Sequence, residues 1–430
     1  MKVSLLITQS NSMYKKLLFV FLILLSMICS AQEEQKKFGI HFSGYVKNDF
    51  FYDYRKTVGI REGHFYLYPE NVLYDADSID VNSKTSFNIL SIQSRLRGDI
   101  TGPNAFGAKT SGVIEAEFYG TTDASINCFR LRHAFGKLSW TNTELTIGQT
   151  WHGMFAEECF PEIMAVNTGC PFQPFSRNPQ IKVVQKFKEV KFMLSVMSQR
   201  DFASWGGPAS LTNAAMPDLN LRISYQHFNE DKSREIFVSG CADYKILTPR
   251  LVTDSNYATN VSINTYAFSV CFKYRCPKIT FKLSGIYGQD LYNQTMLGGY
   301  AYRYTTDSTT VARGDFSYTP LYTVSSWMDL STNGEKFRFG ILGGYTKNLG
   351  AFENILDWTN QNSYFARGWN ISYVYRISPR FVFISGKIKM GIEGDYTVAG
   401  YGNKNNSLGE VQNVKPVSNI RLMYSFFYYF

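Results

Sequence analysis

The spacing of the strands constrains this chain more than any single motif. Stretches that alternate between apolar and polar residues recur along it, a period of two that means β-strands with two unlike faces. We read sixteen of them: 40–54, 86–100, 108–120, 127–140, 143–151, 179–188, 190–200, 218–228, 235–247, 259–274, 278–290, 315–330, 335–347, 367–377, 380–394 and 417–430. The connections after the even-numbered strands are short: 101–107, 141–142, Glu189, 229–234, 275–277, 331–334 and 378–379. The others, 56–85, 121–126, 152–178, 201–217, 248–258, 291–314, 348–366 and 395–416, are long apart from 121–126. Independent hairpins of a soluble protein have no reason to sort this way. A barrel crossing a membrane does, with short turns at one end and long loops at the other.

The last strand sharpens the reading. Ile420, Leu422, Tyr424, Phe426, Tyr428 and Phe430 form one apolar row, with Asn419, Arg421, Met423 and Ser425 between them. At an open sheet edge such a row invites aggregation. In a closed barrel every strand is paired and the row meets hydrocarbon. The strand resembles the C-terminal signal of bacterial outer-membrane barrels. Phe426, Tyr428 and Phe430 are therefore the candidate assembly signal, and the resemblance implies the barrel-assembly machinery as a partner. The expected fold is all-β: a transmembrane antiparallel β-barrel of about sixteen strands in lipid, with short periplasmic turns and long extracellular loops. The soluble alternative is a sandwich with this strand in its core.

The start of the chain fits export. An apolar run, Leu17 to Ile28, follows Lys15-Lys16 and precedes Cys29-Ser30-Ala31. A dozen apolar residues are too few to span a bilayer as a helix. They read as a secretory signal peptide, 1–31, with Met13 as an alternative start. A lipoprotein anchor at Cys29 competes, but Ile28 is bulky where a small residue is wanted. Residues 32–39 make a short periplasmic segment, and 40–430 the barrel. The localisation expected is the outer membrane of a Gram-negative bacterium.

Charge narrows the function classes. The chain has 44 Lys and Arg against 35 Asp and Glu. The leader takes Lys2, Lys15 and Lys16 with it and no acid, which leaves an excess of +6. That excess is scattered, so nothing suggests nucleic acid. Alternation puts Arg95 and Arg97 on one face of the second strand with Gln93 and Asp99, opposite Ile92 and Leu96. Arg130 and Arg132 share a face of the fourth, opposite Phe129 and Leu131. With Lys182, Arg222 and Arg421 they are candidates for a basic pore wall. Glu115 and Glu117 lie on the strand between; they are candidates for the pore's acidic side, and can simply pair with the arginines.

The loop 152–178 carries Phe155, Phe160, Ile163, Met164, Val166 and Phe172, which a loop bathed in water does not need. Folded into the barrel it packs them on the wall, and Glu157, Glu158 and Glu162 then face the arginines as an acidic side. Packing on a neighbouring subunit is the alternative. Rings of Arg and Lys in a pore favour anions. Cys159 and Cys170, in one loop of an exported chain, are the candidate disulfide. No Cys/His spacing reads as a metal site.

Several runs resemble one family. R-L-R-H-A-F-G-K-L (130–138), I-G-Q-T-W (147–151), R-N-P-Q-I (177–181), S-R-L-R-G-D (94–99) and G-x-K-T-x-G-x-I-E-A-E-F (107–118) are similar to the DcaP-like trimeric outer-membrane porins. The similarity covers about residues 40–190. It implies a sixteen-stranded homotrimer acting as a diffusion channel for small hydrophilic, often anionic solutes such as carboxylates, without a cofactor. Members often carry a periplasmic coiled coil, for which 32–39 is too short.

Two other classes compete. One is a structural or docking barrel plugged by its loops. The other is an outer-membrane hydrolase, which needs a nucleophile beside a base. Of His41, His64, His133, His152 and His227, His133 reads as pointing outward at a subunit contact. His152 lies near Glu157 and Glu158 with no nucleophile placed beside it. No enzyme activity is expected.

Overall fold

The computed structural model describes residues 38–430; the expected leader 1–31 and residues 32–37 lie outside the described residues. Sixteen antiparallel strands make one sheet that closes on itself. The first is Gly39–Asp53 and the second is split into Ser86–Leu90 and Arg95–Thr101. Then follow Lys109–Glu117, Arg130–Ser139, Thr143–Trp151, Arg177–Phe187, Val190–Met197 and Asp218–Phe228. The second half holds Glu235–Leu247, Ile263–Arg275, Ile279–Gln289, Tyr322–Thr332, Phe337–Gly350, Ile371–Ser385, Ile388–Tyr401 and Lys415–Tyr429. The seam lies at the first strand, which pairs with the second from Gly39↔Thr101 to Tyr45↔Arg95 and with the last from Tyr45↔Tyr429 to Asp53↔Arg421.

The two faces of the wall are chemically opposite. Ile114, Ile147, Val270, Ile392 and Leu422 point outward and are each more than half exposed. Lys47, Asp49, Thr346, Arg376, Glu393 and Ser425 point inward and are buried. An apolar outside around a polar inside inverts a soluble protein and suits lipid. Phe430 is half exposed, and its amide donates to the Gly44 carbonyl at 3.2 Å, across the seam.

Three local features depart from simple alternation. First, the ladder of the second strand breaks at 91–94. Ile92 is expected opposite Gln93 on the outside, but the break turns it inward, where it is 2% exposed. Second, a bulge between Glu115 and Ala116 lets Glu115 face His133 while Ala116 faces Leu131. The extra residue is Arg132, so both it and His133 turn inward. His133 is buried, with Nδ1 3.2 Å from Thr150 Oγ1, and does not point outward. Third, Ser378-Pro379 reads in the sequence as a turn but lies within the fourteenth strand. Pro379 faces Ile341, and the ladder to the fifteenth strand skips both residues without changing register. Pro lacks only the donor, so it interrupts the ladder there. The turn falls instead at Gly386, whose φ of 57° favours a glycine.

The long connections are not all surface loops. Tyr318–Pro320, read as the start of the twelfth strand, pairs with Gly298–Tyr302, which pairs with Tyr364–Arg367 in a small separate sheet. Residues 152–176 cross the lumen. A hairpin, Thr57–Ile60 with Phe65–Pro69, also folds inside; in the sequence its stretch reads as polar loop.

Candidate functional site

The inward loop is built to be held inside. Met154, Phe155, Val166, Cys170, Phe172 and Phe175 join one apolar cluster with wall residues such as Trp327 and Val374. Burying a side chain of this size stabilises by about 1.5–3 kcal/mol. Its polar backbone is met from several strands. Lys47 donates to the Met164 carbonyl at 2.8 Å, and Glu393 accepts from the Met164 and Ala165 amides at 2.8 and 3.3 Å. Arg376 donates to the Cys170 carbonyl at 3.0 Å, and Trp327 Nε1 to Gln173 Oε1 at 2.6 Å. Gly344 lets the chain approach, since a Cβ there would collide with the Phe172 ring.

The hairpin adds a second support. Asn167 on the loop donates to the Tyr66 carbonyl at 2.7 Å, and Arg376 to that of Leu67 at 2.7 Å. His64 Nε2 lies 2.7 Å from Asp49 Oδ2 on the first strand.

Two cavities flank the loop, one on each side. On the long-loop side a space of about 430 Å³ is lined by Arg61, Arg130, Arg177 and Arg367, against Glu117 and Asp201. On the short-turn side a space of about 520 Å³ is lined by Lys273, Lys282, Arg338, Arg380 and Lys389, against Glu157, Glu158 and Glu162. Val166 borders the first; Ile163 and Thr168 border the second, so this stretch of loop is the neck between them. Cations outnumber acids in both.

The candidate basic wall is mostly paired. Arg132 reaches Glu115 and Glu117 at 2.7 Å each, and Arg95 reaches the same two at 3.5 and 3.1 Å. Arg97 meets Glu115 at 3.2 Å and Asp99 at 2.8 Å, and Arg130 meets Asp201 at 3.4 Å. Glu115 and Glu117 thus sit among the arginines rather than across from them. Arg421 does not line open water: it is 1% exposed and clamps Asp53 at 2.6 Å. Lys182 donates to the Trp151 carbonyl at 3.3 Å, and Arg222 meets Glu158 at 3.5 Å. Glu162 pairs with Lys282 at 2.7 Å. Burial in the barrel pushes Glu157 above the usual carboxylate range, against the pull of Lys182.

Other cations were missed in the sequence. Arg61 and Arg367 lie in connections with no strand period to place them. Arg177 is quoted above only for its family resemblance. It is 1% exposed, its guanidinium 4.6 Å from the Trp151 ring centroid and 5.0 Å from that of Phe175. The hairpin had a legible signal: T-V-G-I and F-Y-L-Y flank R-E-G-H, short β-prone runs about a glycine turn.

The loop cysteines are not joined to each other. Cys159 and Cys170 are free thiols with different partners: Cys159 donates to the Phe272 carbonyl of the wall at 3.4 Å, Cys170 to the Gln173 carbonyl of its own loop at 3.2 Å. His152 turns away from Glu157 and Glu158. Its Nε2 is 3.4 Å from Asp243 and 3.8 Å from Asp218, and these three are the described residues whose ligand atoms converge as a metal site requires. The Met154 amide donates to His152 Nδ1 at 3.2 Å. That leaves the ring proton on Nε2, which faces the two carboxylates without a hydrogen bond to either.

No protein-family model matches the chain, and no curated protein matches it. Solved structures do. The outer membrane channel DcaP of Acinetobacter baumannii aligns with a TM-score of 0.66 at 14% identity, covering 94% of this chain and 100% of that one. An anion-selective porin from Comamonas acidovorans aligns at 0.53 and 9% identity, over 92% and 100%. OmpT of Vibrio cholerae aligns at 0.51 and 10% identity, over 93% and 99%. At such identities the likeness concerns the fold: this chain has the barrel fold of those outer-membrane proteins.

Proposed function

Starting from the DcaP-type porin fold, we propose that this chain is a porin of a Gram-negative outer membrane, a passive diffusion channel for small hydrophilic anions such as carboxylates. One observation carries the reading: the cavities on both sides of the loop are lined by more cations than acids. Charge in a narrow passage is screened less than charge on a surface. Arginine keeps its charge at any working pH. Arg95, Arg97, Arg130 and Arg132 supply part of the field, with Glu115 and Glu117 cancelling some of it. A protein sharing the fold is described as an anion-selective porin, and an OmpT structure as a trimer form. A homotrimer in outer-membrane lipid fits both.

Reversal potential in a salt gradient tests selectivity. At neutral pH the channel is expected to prefer anions; a cation preference overturns the reading. Glu157, with its raised pKa, takes up a proton before an ordinary carboxylate as pH falls. Acidification from about pH 7 to about pH 5 should therefore strengthen anion preference. Glu157→Gln should show that stronger preference at neutral pH and lose the early part of the response.

One observation favours a second reading, a docking barrel: hairpin and loop both occupy the lumen. Planar-bilayer recording separates the two, since a plugged barrel gives no stepwise currents.

The terminal residues carry a separate proposal. Phe430, Tyr428 and Phe426 are assigned to recognition by the assembly machinery. Deleting Phe430 is expected to lower insertion into the outer membrane while export continues. Unchanged surface levels would remove that role.

A further inference from the structure

Six cysteines lie within the described residues, all as thiols. Two of them meet across the boundary between loop and wall. Cys159 is 1% exposed, and its thiol reaches the carbonyl of Phe272, the residue after Cys271. Cys271 points inward from the tenth strand and packs against the apolar cluster that contains Cys159. The two residues therefore face each other where the loop meets the wall. They border a void of about 10 Å³.

We propose that Cys159 and Cys271 are a redox pair whose oxidation staples the lumen loop to the tenth strand. The other thiols are otherwise engaged or placed. Cys241 bonds Asn220 Oδ1 at 3.2 Å, Cys170 bonds its own loop, and Cys276 lies in a turn at the short-turn end. The neighbouring Cys271, with Lys282 and Lys273 nearby, holds Cys159 below the usual thiol range. A thiol of lowered pKa offers more of the nucleophilic thiolate. The void is close to the size one water needs, so the oxidant has to be small and neutral.

Hydrogen peroxide meets that requirement. The Cys159 thiolate attacks one peroxide oxygen, the O–O bond breaks, and hydroxide leaves; a sulfenic acid remains. The Cys271 sulfur then attacks the sulfenic sulfur, the S–S bond forms, and the sulfenic oxygen leaves as water. In sum two thiols and one peroxide give one disulfide and two waters.

The test uses full-length protein folded in detergent and treated with hydrogen peroxide. It is then alkylated and digested without reduction. Peptide mapping should join the Cys159 peptide to the Cys271 peptide, and dithiothreitol should separate them. Alkylation of both residues after peroxide overturns the proposal, as does a bond from Cys159 to Cys170 or Cys241. Amide hydrogen exchange reads the staple without reference to conductance: oxidation should slow exchange across residues 157–170. Exchange in Cys271→Ser should be insensitive to peroxide. An oxidised parent whose loop exchanges as fast as the reduced one overturns the stapling role.

Discussion

Arg132→Gln should be the most damaging single change in the barrel wall, destabilising it by about 3–5 kcal/mol. Arg132 is 4% exposed and serves two carboxylates that are themselves buried, Glu115 at 5% and Glu117 at 1%. Glutamine keeps some hydrogen bonding but not the charge. Arg95 then remains as the only described cation within 4 Å of Glu117. Two buried carboxylates then share Arg95, with Arg97 reaching Glu115 alone, and buried charge short of its partner costs more than the pair contributed. Loss of the folded band at lower temperature on unheated gels measures the effect. The triple variant that adds Glu115→Gln and Glu117→Gln should recover part of the loss: no buried carboxylate is then short of a partner, though Arg95, with 19% of its side chain exposed, loses both of its acids. If Arg132→Gln melts like the parent, the network is wet and contributes little.

Excising the neck should have the largest effect on current. Removal of residues 157–168, joined by a short glycine linker, should raise single-channel conductance severalfold and weaken ion preference. Sixteen strands enclose more room than wall side chains fill. What closes that room at mid-height is the stretch from Ile163 to Thr168. The variant uncovers polar wall groups, Lys47, Glu393 and Asp329, and apolar ones, Phe51, Met423, Val382 and Phe427, so it should be less stable than the parent while the closed ladder of sixteen strands still forms. Asp329 also keeps its ion pair with Arg380 in the wall. Unchanged conductance in a folded variant would mean that ions bypass the loop, and the neck would have to be sought elsewhere.

The wall was legible in the sequence because its rules are local. Alternation is a property of neighbours, and the sorting of short and long connections needs only boundaries. The errors fall where geometry departs from the period. The bulge at Arg132 reverses His133, the break at 91–94 reverses Ile92, and Pro379 continues a strand it was expected to end. The site was half legible. That Arg95, Arg97, Arg130 and Arg132 face inward follows from alternation. That Glu115 and Glu117 neutralise them depends on register between strands, which no single strand encodes. Arg61 and Arg367 could not be placed at all, because a connection has no period. Cys159 meets the tenth strand more than a hundred residues along the chain, a closeness that spacing within the loop does not encode.

The inward hairpin has a consequence for the order of assembly. Its His64 is held by Asp49 of the first strand, and the Gly63 carbonyl by Arg421 of the last. Asp49 is itself bonded by Ser425, and Asp53 by Asn419 and Arg421. These partners stand together only after the final strand has zipped onto the first, a contact of very high sequence separation and therefore slow to form. The hairpin cannot settle earlier, and the loop that leans on it through Asn167 settles with it or later. The chain thus closes its ring as a hollow, water-filled shell and furnishes the interior afterwards. The furnishing covers the closure from inside, so the last event in folding also latches the seam.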